Sequence, residues 1–211
     1  MTVRKNLNKG FKWGSIMQFA VTGIRFVSTI TLARLLTPYD YGLIGTVSIF
    51  IALGDMLVDS GMGASLLRKK KVKKIDYHTL FFYNFGISFI LFCVLFFAAP
   101  YIAIFFQKPV LVNILRVLSL STVINALSRV QYIQLLRDLR YKLFAVIALV
   151  SNTIALIVSI YLAYFGYGVW ALVVQQLLQC SISSILYFFY NRFIPRLVFS
   201  KESFKEQFTF G

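Results

Sequence analysis

Residues 41–74 read YGLIGTVSIFIALGDMLVDSGMGASLLRKKKVKK, a long apolar stretch that is followed directly by a basic run. About 20 helical residues are enough to cross the roughly 30 Å hydrocarbon core of a bilayer, so residues 41–67 are long enough for one crossing. Connectors that carry lysine and arginine stay on the cytoplasmic side of a membrane. The stretch therefore predicts a membrane helix whose C-terminal end lies in the cytoplasm.

The same pattern repeats along the whole chain. Apolar stretches are separated by connectors that are alternately rich and poor in lysine and arginine. This alternation predicts an all-α membrane protein with six transmembrane helices and with both termini in the cytoplasm. Pro38 suits a tight turn between the first two spans, because proline cannot extend the first helix. The predicted spans are approximately 11–36, 41–67, 79–106, 110–136, 143–165 and 168–191.

The composition agrees with a membrane protein. Hydrophobic residues make up 59% of the 211 residues, only 14% are charged, and the formal net charge is +15. Because most basic residues fall in connectors predicted to be cytoplasmic, the charge is explained by topology and by contact with anionic lipids, and we expect no nucleic-acid partner. Cys93 and Cys180 lie inside apolar stretches, and no metal or cofactor pattern is present. We therefore expect no cofactor.

Polar residues recur at helical spacing inside four of the predicted spans, which places them on one face of each helix. Such faces are typical of a bundle around a hydrated cavity. Hydrogen bonds between helices are an alternative that needs no cavity. The four polar stripes consist of Ser15, Gln18, Thr22, Arg25 and Thr29; of Ser48, Asp55 and Asp59; of Ser121, Asn125, Ser128 and Tyr132, with Arg116 nearer the outer end; and of Gln175, Gln179 and Ser183.

The charged residues inside the spans are harder to explain by packing. An Arg or Asp at mid-bilayer costs about 2.5–3.5 kcal/mol and usually faces protein or water. Arg25 lies near the middle of the first span, and antiparallel pairing brings Asp55 within about one helical turn of the same depth. An Arg25–Asp55 ion pair is therefore a candidate, with Asp59 one turn closer to the cytoplasm. The pair either locks the hairpin or offers a positive site to an anionic ligand. Arg34, on the opposite face, lies near the outer end.

Three segments of the chain resemble a known family. They read ARLLTPYDYGL at residues 33–43, DSGMGASLL at 59–67 and LLRDLRYK at 135–142. In their residues, order and spacing they resemble the Wzx-type polysaccharide flippases of the multidrug/oligosaccharidyl-lipid/polysaccharide exporter superfamily, over essentially the whole chain. The basic part of the third segment, residues 137–142, is also expected to continue the fourth helix into the cytoplasm.

The resemblance implies an exporter that moves undecaprenyl-pyrophosphate-linked oligosaccharides to the outer leaflet of a bacterial cytoplasmic membrane. Such exporters have two six-helix lobes around a cationic cavity, and a polysaccharide polymerase and chain-length proteins are candidate partners. On this basis Arg25 and Arg116 are candidates for phosphate or acidic-sugar contacts. Asp55 and Asp59 are candidates for ion coupling. Further candidates for substrate contacts are Gln18, Asn125, Gln175 and Gln179.

The length suggests half of such an exporter. Residues 1–196 would form one lobe, and residues 197–211 a cytoplasmic connector and the start of a second, because FTFG at 208–211 repeats the FKWG that opens the first span at 11–14. We expect an N-terminal fragment without catalytic residues, since no phosphate loop or activated nucleophile motif is found. An integral-membrane enzyme and a non-transporting scaffold of a polysaccharide assembly complex are the alternatives.

Overall fold

The computed structural model describes residues 2–59, 62–69 and 72–191, together with positions 193, 195, 198, 200 and 204. Side chains are described from residue 19 onward, except that of Asp59. These residues form seven helices and no strand, so the predicted all-α fold is confirmed. The helices are α1 (Thr2–Leu35), α2 (Pro38–Asp59), α3 (Met62–Arg68), α4 (Lys74–Phe105), α5 (Leu111–Arg137), α6 (Tyr141–Tyr164) and α7 (Val169–Tyr190).

Five of these helices, α2, α4, α5, α6 and α7, are long and apolar enough to cross a bilayer. The chain is therefore a multi-pass membrane protein. Among the described residues, α1 is not one of the five. A sixth crossing and the sidedness of the termini stay predictions. The range predicted as the second span, 41–67, contains two helices, α2 and the short α3.

Three connectors meet at one end of the bundle, which we call the turn end. They are the connectors between α1 and α2, between α4 and α5, and between α6 and α7. The ammonium group of Lys108 lies 5.0 Å from the ring centroid of Tyr39, which joins the first two connectors. A β-carbon on Gly168 would lie 3.3 Å from Oδ1 of Asp40, so the third connector touches the first. Neighbouring long helices are therefore antiparallel.

The opposite end carries the basic connectors, and we call it the basic end. Nη1 of Arg137 donates to the carbonyl of Leu66 at 2.6 Å and so ties α5 to the last turn of α3. Lys69 and the buried Asp76 form an ion pair with 3.2 Å between Nζ and Oδ2. These contacts hold the α3–α4 connection against α5.

The predicted tight turn before α2 is confirmed, and its side chains explain it. The backbone N–H of Thr37 donates to Oδ2 of Asp40 at 3.0 Å, and the N–H of Asp40 donates to Oγ1 of Thr37 at 3.3 Å. This is a capping box, in which two side chains satisfy backbone donors that the helix itself leaves open. Pro38 occupies the first helical position, where no backbone N–H is needed.

The prediction that the basic segment continues the fourth helix is wrong. The helix α5 ends at Arg137 because Leu139 adopts a left-handed conformation with φ of 55°. The N–H of Arg140 then donates to the carbonyl of Leu135 at 3.0 Å, and that of Leu139 to Leu136 at 3.1 Å. This pair of bonds is the Schellman motif, which closes a helix and satisfies its last carbonyls.

The apolar core lies in separate clusters along the bundle. One joins α2, α4, α5 and α7 toward the turn end and includes Leu43, Leu115 and Val173. Another joins α3, α4 and α5 at the basic end. A third holds the end of α1 against α6 and α7 through Leu32 and Leu172. The space between these clusters, alongside α1, is where the polar stripes meet.

Candidate functional site

Two cavities meet inside the bundle; both are lined by α1, α2, α6 and α7, and one of them also by α5. The basic-end cavity has a volume of about 480 Å³ and the turn-end cavity about 390 Å³. Arg25, Asn152 and Gln179 line both, so the cavities meet at these side chains. The bundle thus contains a polar cleft in two parts, where the polar stripes predicted a cavity. Its hydration stays a prediction.

Arg25 stands at the junction of the two cavities and is held by α6. Its Nε donates to Oδ1 of Asn152 at 3.4 Å. Nδ2 of Asn152 in turn donates to the carbonyl of Ala148 at 2.6 Å, one helical turn earlier. Because the amide nitrogen is occupied by that carbonyl, the amide oxygen must face Arg25. Asn152 therefore directs the guanidinium without neutralising its charge.

Three charged side chains line the basic-end cavity: Arg25, Asp55 and Arg129. The guanidinium of Arg129 lies 5.5 Å from the ring centroid of Tyr132, within the range of a cation–π contact. Arg25 and Asp55 both line this cavity. Their direct ion pair stays a prediction. Asn125 lines the same cavity from α5.

The turn-end cavity is lined mainly by neutral polar groups. Nε2 of Gln175 donates to Oγ of Ser28 at 2.8 Å and so joins α7 to α1. The amides of Gln176 and Gln179 line this cavity and make no hydrogen bond with the described residues. The hydroxyl of Tyr41 is screened from solvent and has no hydrogen-bond partner in the described part of the chain.

Other members of the predicted stripes form bonds between helices. Ser184 donates to Ser128 at 2.8 Å across α7 and α5, and Ser183 donates to Ser151 at 2.9 Å across α7 and α6. The two interpretations of the polar stripes therefore both apply. Some neutral residues, such as Gln175, tie helices together, while others present polar groups to a cavity.

Arg116 does not join the other candidate residues. Its Nε donates to the carbonyl of Phe96 at 3.3 Å, and its guanidinium lies 4.5 Å from the ring centroid of the same residue. Arg116 thus lies against α4 and lines neither cavity described above. Asn125 follows it by nine positions, about two and a half helical turns, and so points to the opposite side of α5.

Two candidates lie outside the described side chains, namely those of Gln18 and Asp59. The cavity residues that were not predicted as candidates include Arg129, Asn152, Gln176 and Tyr41. Arg129 follows Asn125 by four positions, and this i, i+4 spacing was a usable signal that both line one face. Asn152 was visible as a polar residue in the fifth span but had no stripe around it.

The family model described as "Polysaccharide biosynthesis protein" matches residues 31–211, which is most of the chain. The chain belongs to this family. The resemblance inferred from the three segments is thereby confirmed.

Several curated relatives align with nearly the whole chain. The succinoglycan biosynthesis transport protein ExoT of Rhizobium meliloti (strain 1021) is 24% identical over 98% of the chain and 42% of its own length. The teichuronic acid biosynthesis protein TuaB of Bacillus subtilis (strain 168) is 26% identical over the whole chain and 44% of its length. The lipopolysaccharide biosynthesis protein WzxC of Escherichia coli (strain K12) is 23% identical over the whole chain and 43% of its length.

The chain therefore spans less than half the length of these relatives. No solved structure gives a significant match to it. One relative carries transport in its name, and the other two are named for biosynthesis. None of the three names describes an enzyme.

Proposed function

We propose that this chain is the N-terminal lobe of an exporter that moves lipid-linked oligosaccharide units across the bacterial cytoplasmic membrane. The named relatives serve three different glycans: succinoglycan, teichuronic acid and lipopolysaccharide. What such substrates share in this proposal is an undecaprenyl pyrophosphate carrier. A site common to them should therefore bind the diphosphate, whereas the glycan differs.

The observation that carries the proposal is the position of Arg25 at the junction of two cavities inside a membrane bundle. A charged side chain inside a membrane-spanning bundle is energetically unfavourable and usually belongs to a functional site. A guanidinium matches the geometry of phosphate oxygens and keeps its charge at any physiological pH. Arg129 adds a second guanidinium to the same cavity. Together the two residues suit a diphosphate.

The basic end would face the cytoplasm. It carries Lys69, Lys73, Arg137 and Arg140, and lysine and arginine mark the cytoplasmic side of a membrane protein. The basic-end cavity would then receive the substrate from the inner leaflet. Asp55, on the wall of that cavity, is the candidate for ion coupling, with Asp59 one turn further along α2. A polysaccharide polymerase and chain-length proteins are the partners that would use the exported product.

The test uses the full-length protein in cells from which its own gene has been removed. Arg25→Gln should abolish surface polysaccharide and leave lipid-linked oligosaccharide in the inner leaflet. Arg34→Gln is the matched control, because the same change on α1 then affects an exposed residue that lines neither cavity. Equal amounts of both variants must be present in the membrane. Normal surface polysaccharide with Arg25→Gln would contradict the proposal.

A further inference from the structure

We propose that the turn-end cavity is a carbohydrate compartment, which binds uncharged sugar units while the diphosphate lies in the basic-end cavity. This inference rests on the proposed function and adds to it the orientation of the ligand in the cleft. The ligand would lie along the cleft, with its charged group near Arg25 and Arg129 and its sugars toward the turn end. Three properties of the turn-end cavity support this assignment.

The first property is a difference in charge between the two cavities. The basic-end cavity is lined by Arg25, Arg129 and Asp55. Among the described residues that line the turn-end cavity, Arg25 alone is charged, and it lies at the boundary. A diphosphate is held best by guanidinium groups, whereas a neutral sugar requires groups that both donate and accept hydrogen bonds. The two cavities are thus suited to the two chemically different parts of one ligand.

The second property is the supply of uncommitted amides. Gln176 and Gln179 are three positions apart on α7 and line the turn-end cavity together. Each carboxamide offers two donors and an acceptor, and neither uses them within the described part of the chain. Gln175, by contrast, already binds Ser28. Sugar hydroxyls, which also donate and accept, are the natural partners of the two remaining amides.

The third property is the buried hydroxyl of Tyr41. Its oxygen is screened from solvent and lacks a partner among the described residues. A buried polar group without a hydrogen bond costs about 1–3 kcal/mol, and a hydrogen bond with a ligand hydroxyl would remove this cost. The apolar side chains of Ile44 and Leu172 line the same cavity, and with the Tyr41 ring they provide a surface for the C–H face of a sugar. The volume of about 390 Å³ falls within the roughly 300–1,000 Å³ of small-molecule sites.

The boundary between the compartments is defined by Arg25 and Asn152. The bond from Asn152 Nδ2 to the Ala148 carbonyl fixes the amide, and its oxygen fixes the guanidinium. Arg25 can therefore contact the diphosphate in the basic-end cavity while the sugar lies beyond it in the turn-end cavity. The same geometry explains why relatives with different glycans could share one anion site.

The test compares a probe without sugar with the native substrate. Farnesyl pyrophosphate binding is measured on the full-length protein in nanodiscs, and glycan export is measured in cells that lack the native gene. Gln176→Met should lower export about two- to tenfold, the equivalent of one lost hydrogen bond, while leaving farnesyl pyrophosphate affinity unchanged. Arg129→Gln should weaken farnesyl pyrophosphate binding by a similar factor. Thr153→Val, on α6 and outside both cavities, is the control.

A second variant distinguishes a loss of sugar binding from a folding defect. Tyr41→Phe removes only the unpartnered hydroxyl, so its thermal stability should equal or exceed that of the wild type while export falls. The compartment assignment is overturned if Gln176→Met weakens farnesyl pyrophosphate binding as much as Arg129→Gln does. It is also overturned if Gln176→Met and Tyr41→Phe both export normally. If the wild type binds no farnesyl pyrophosphate, the proposed function itself fails.

Discussion

Arg25 on α1 and Asn152 on α6 are joined by a hydrogen bond of 3.4 Å at the place where the two cavities meet. The bond is between a charged donor and a neutral acceptor, so the positive charge of Arg25 is kept. A carboxylate at position 152 would cancel that charge and would also oppose the carbonyl of Ala148, which now accepts from Nδ2. An amide is the side chain that satisfies both neighbours.

Replacing Asn152 should therefore weaken anion binding. Asn152→Leu keeps the number and branching of the side-chain heavy atoms but removes both hydrogen bonds, so the guanidinium is no longer directed. We expect farnesyl pyrophosphate affinity to fall about two- to tenfold and the free energy of unfolding to fall by roughly 1 kcal/mol. Titration and thermal denaturation in nanodiscs measure the two effects. Ser159→Ala on the same helix is the control, since that buried hydroxyl has no partner in the described residues and its loss should not destabilise. Unchanged affinity with Asn152→Leu would exclude its positioning role.

Arg116 should be dispensable for export. It binds the carbonyl and ring of Phe96 on α4, so Arg116→Met should lower stability by about 0.5–2 kcal/mol but leave the glycan export per folded molecule unchanged. Arg25→Met serves as the comparison and should abolish export. The measurement is surface polysaccharide normalised to the amount of protein in the membrane. A loss of export with Arg116→Met equal to that with Arg25→Met would place Arg116 in the transport path after all.

Gly168 should not tolerate a side chain. Its backbone has φ of 52° and ψ of −130°, a region that glycine alone enters readily, and an added β-carbon would lie 3.3 Å from Asp40. Gly168→Ala should therefore destabilise the protein by about 1–3 kcal/mol. Gly45→Ala is the matched control, because it lies inside α2 with nothing within 4 Å of the new carbon. That change should raise stability by up to about 1 kcal/mol. Thermal denaturation of both variants measures the difference in stability. Equal melting temperatures would contradict the predicted strain and close contact at Gly168.

The capping box at the start of α2 should contribute measurably to stability. Thr37→Val removes the hydroxyl that accepts from the N–H of Asp40, and N-caps of this kind contribute about 0.5–2 kcal/mol. Thr46→Val makes the same change inside α2, where the hydroxyl donates only to the carbonyl of Gly42 in its own helix. A melting temperature lowered by Thr37→Val and nearly unchanged by Thr46→Val is the expected pattern. The reverse order would show that the turn is held by other contacts.

The position of a residue along its helix could be read from the sequence, whereas its direction around the helix could not. The sequence placed Arg25 near the middle of its predicted span, and the structure places it at the junction of the two cavities. On α5, however, Arg116 was grouped with Asn125, although a spacing of nine residues places them on opposite faces of the helix. Arg129 was not grouped with Asn125, although a spacing of four residues places them on the same face. Depth follows from counting residues, but the direction of a side chain depends on which neighbour packs against the helix.

Local backbone signals explain the remaining differences. The turn before α2 was predictable because Thr37, Pro38 and Asp40 are the residue types that such a turn needs. The end of α5 was not, because its left-handed position is occupied by Leu139, where a glycine would have been recognisable. Asn152 was undervalued for another reason. Its importance comes from Arg25, which lies 127 residues away in sequence.

The way in which α1 is attached has a mechanical consequence. At the turn end it is fixed by apolar packing of Leu32 and Leu36, whereas along the cleft it is tied by the bonds of Arg25 and Ser28 to α6 and α7. Hydrogen bonds inside membranes contribute only about 0.6 kcal/mol each, so these two favour the attachment of α1 along the cleft by only about a factor of eight. A ligand that forms hydrogen bonds with Arg25 and Ser28 in their place should therefore loosen α1 along the cleft, while its apolar packing at the turn end is unaffected.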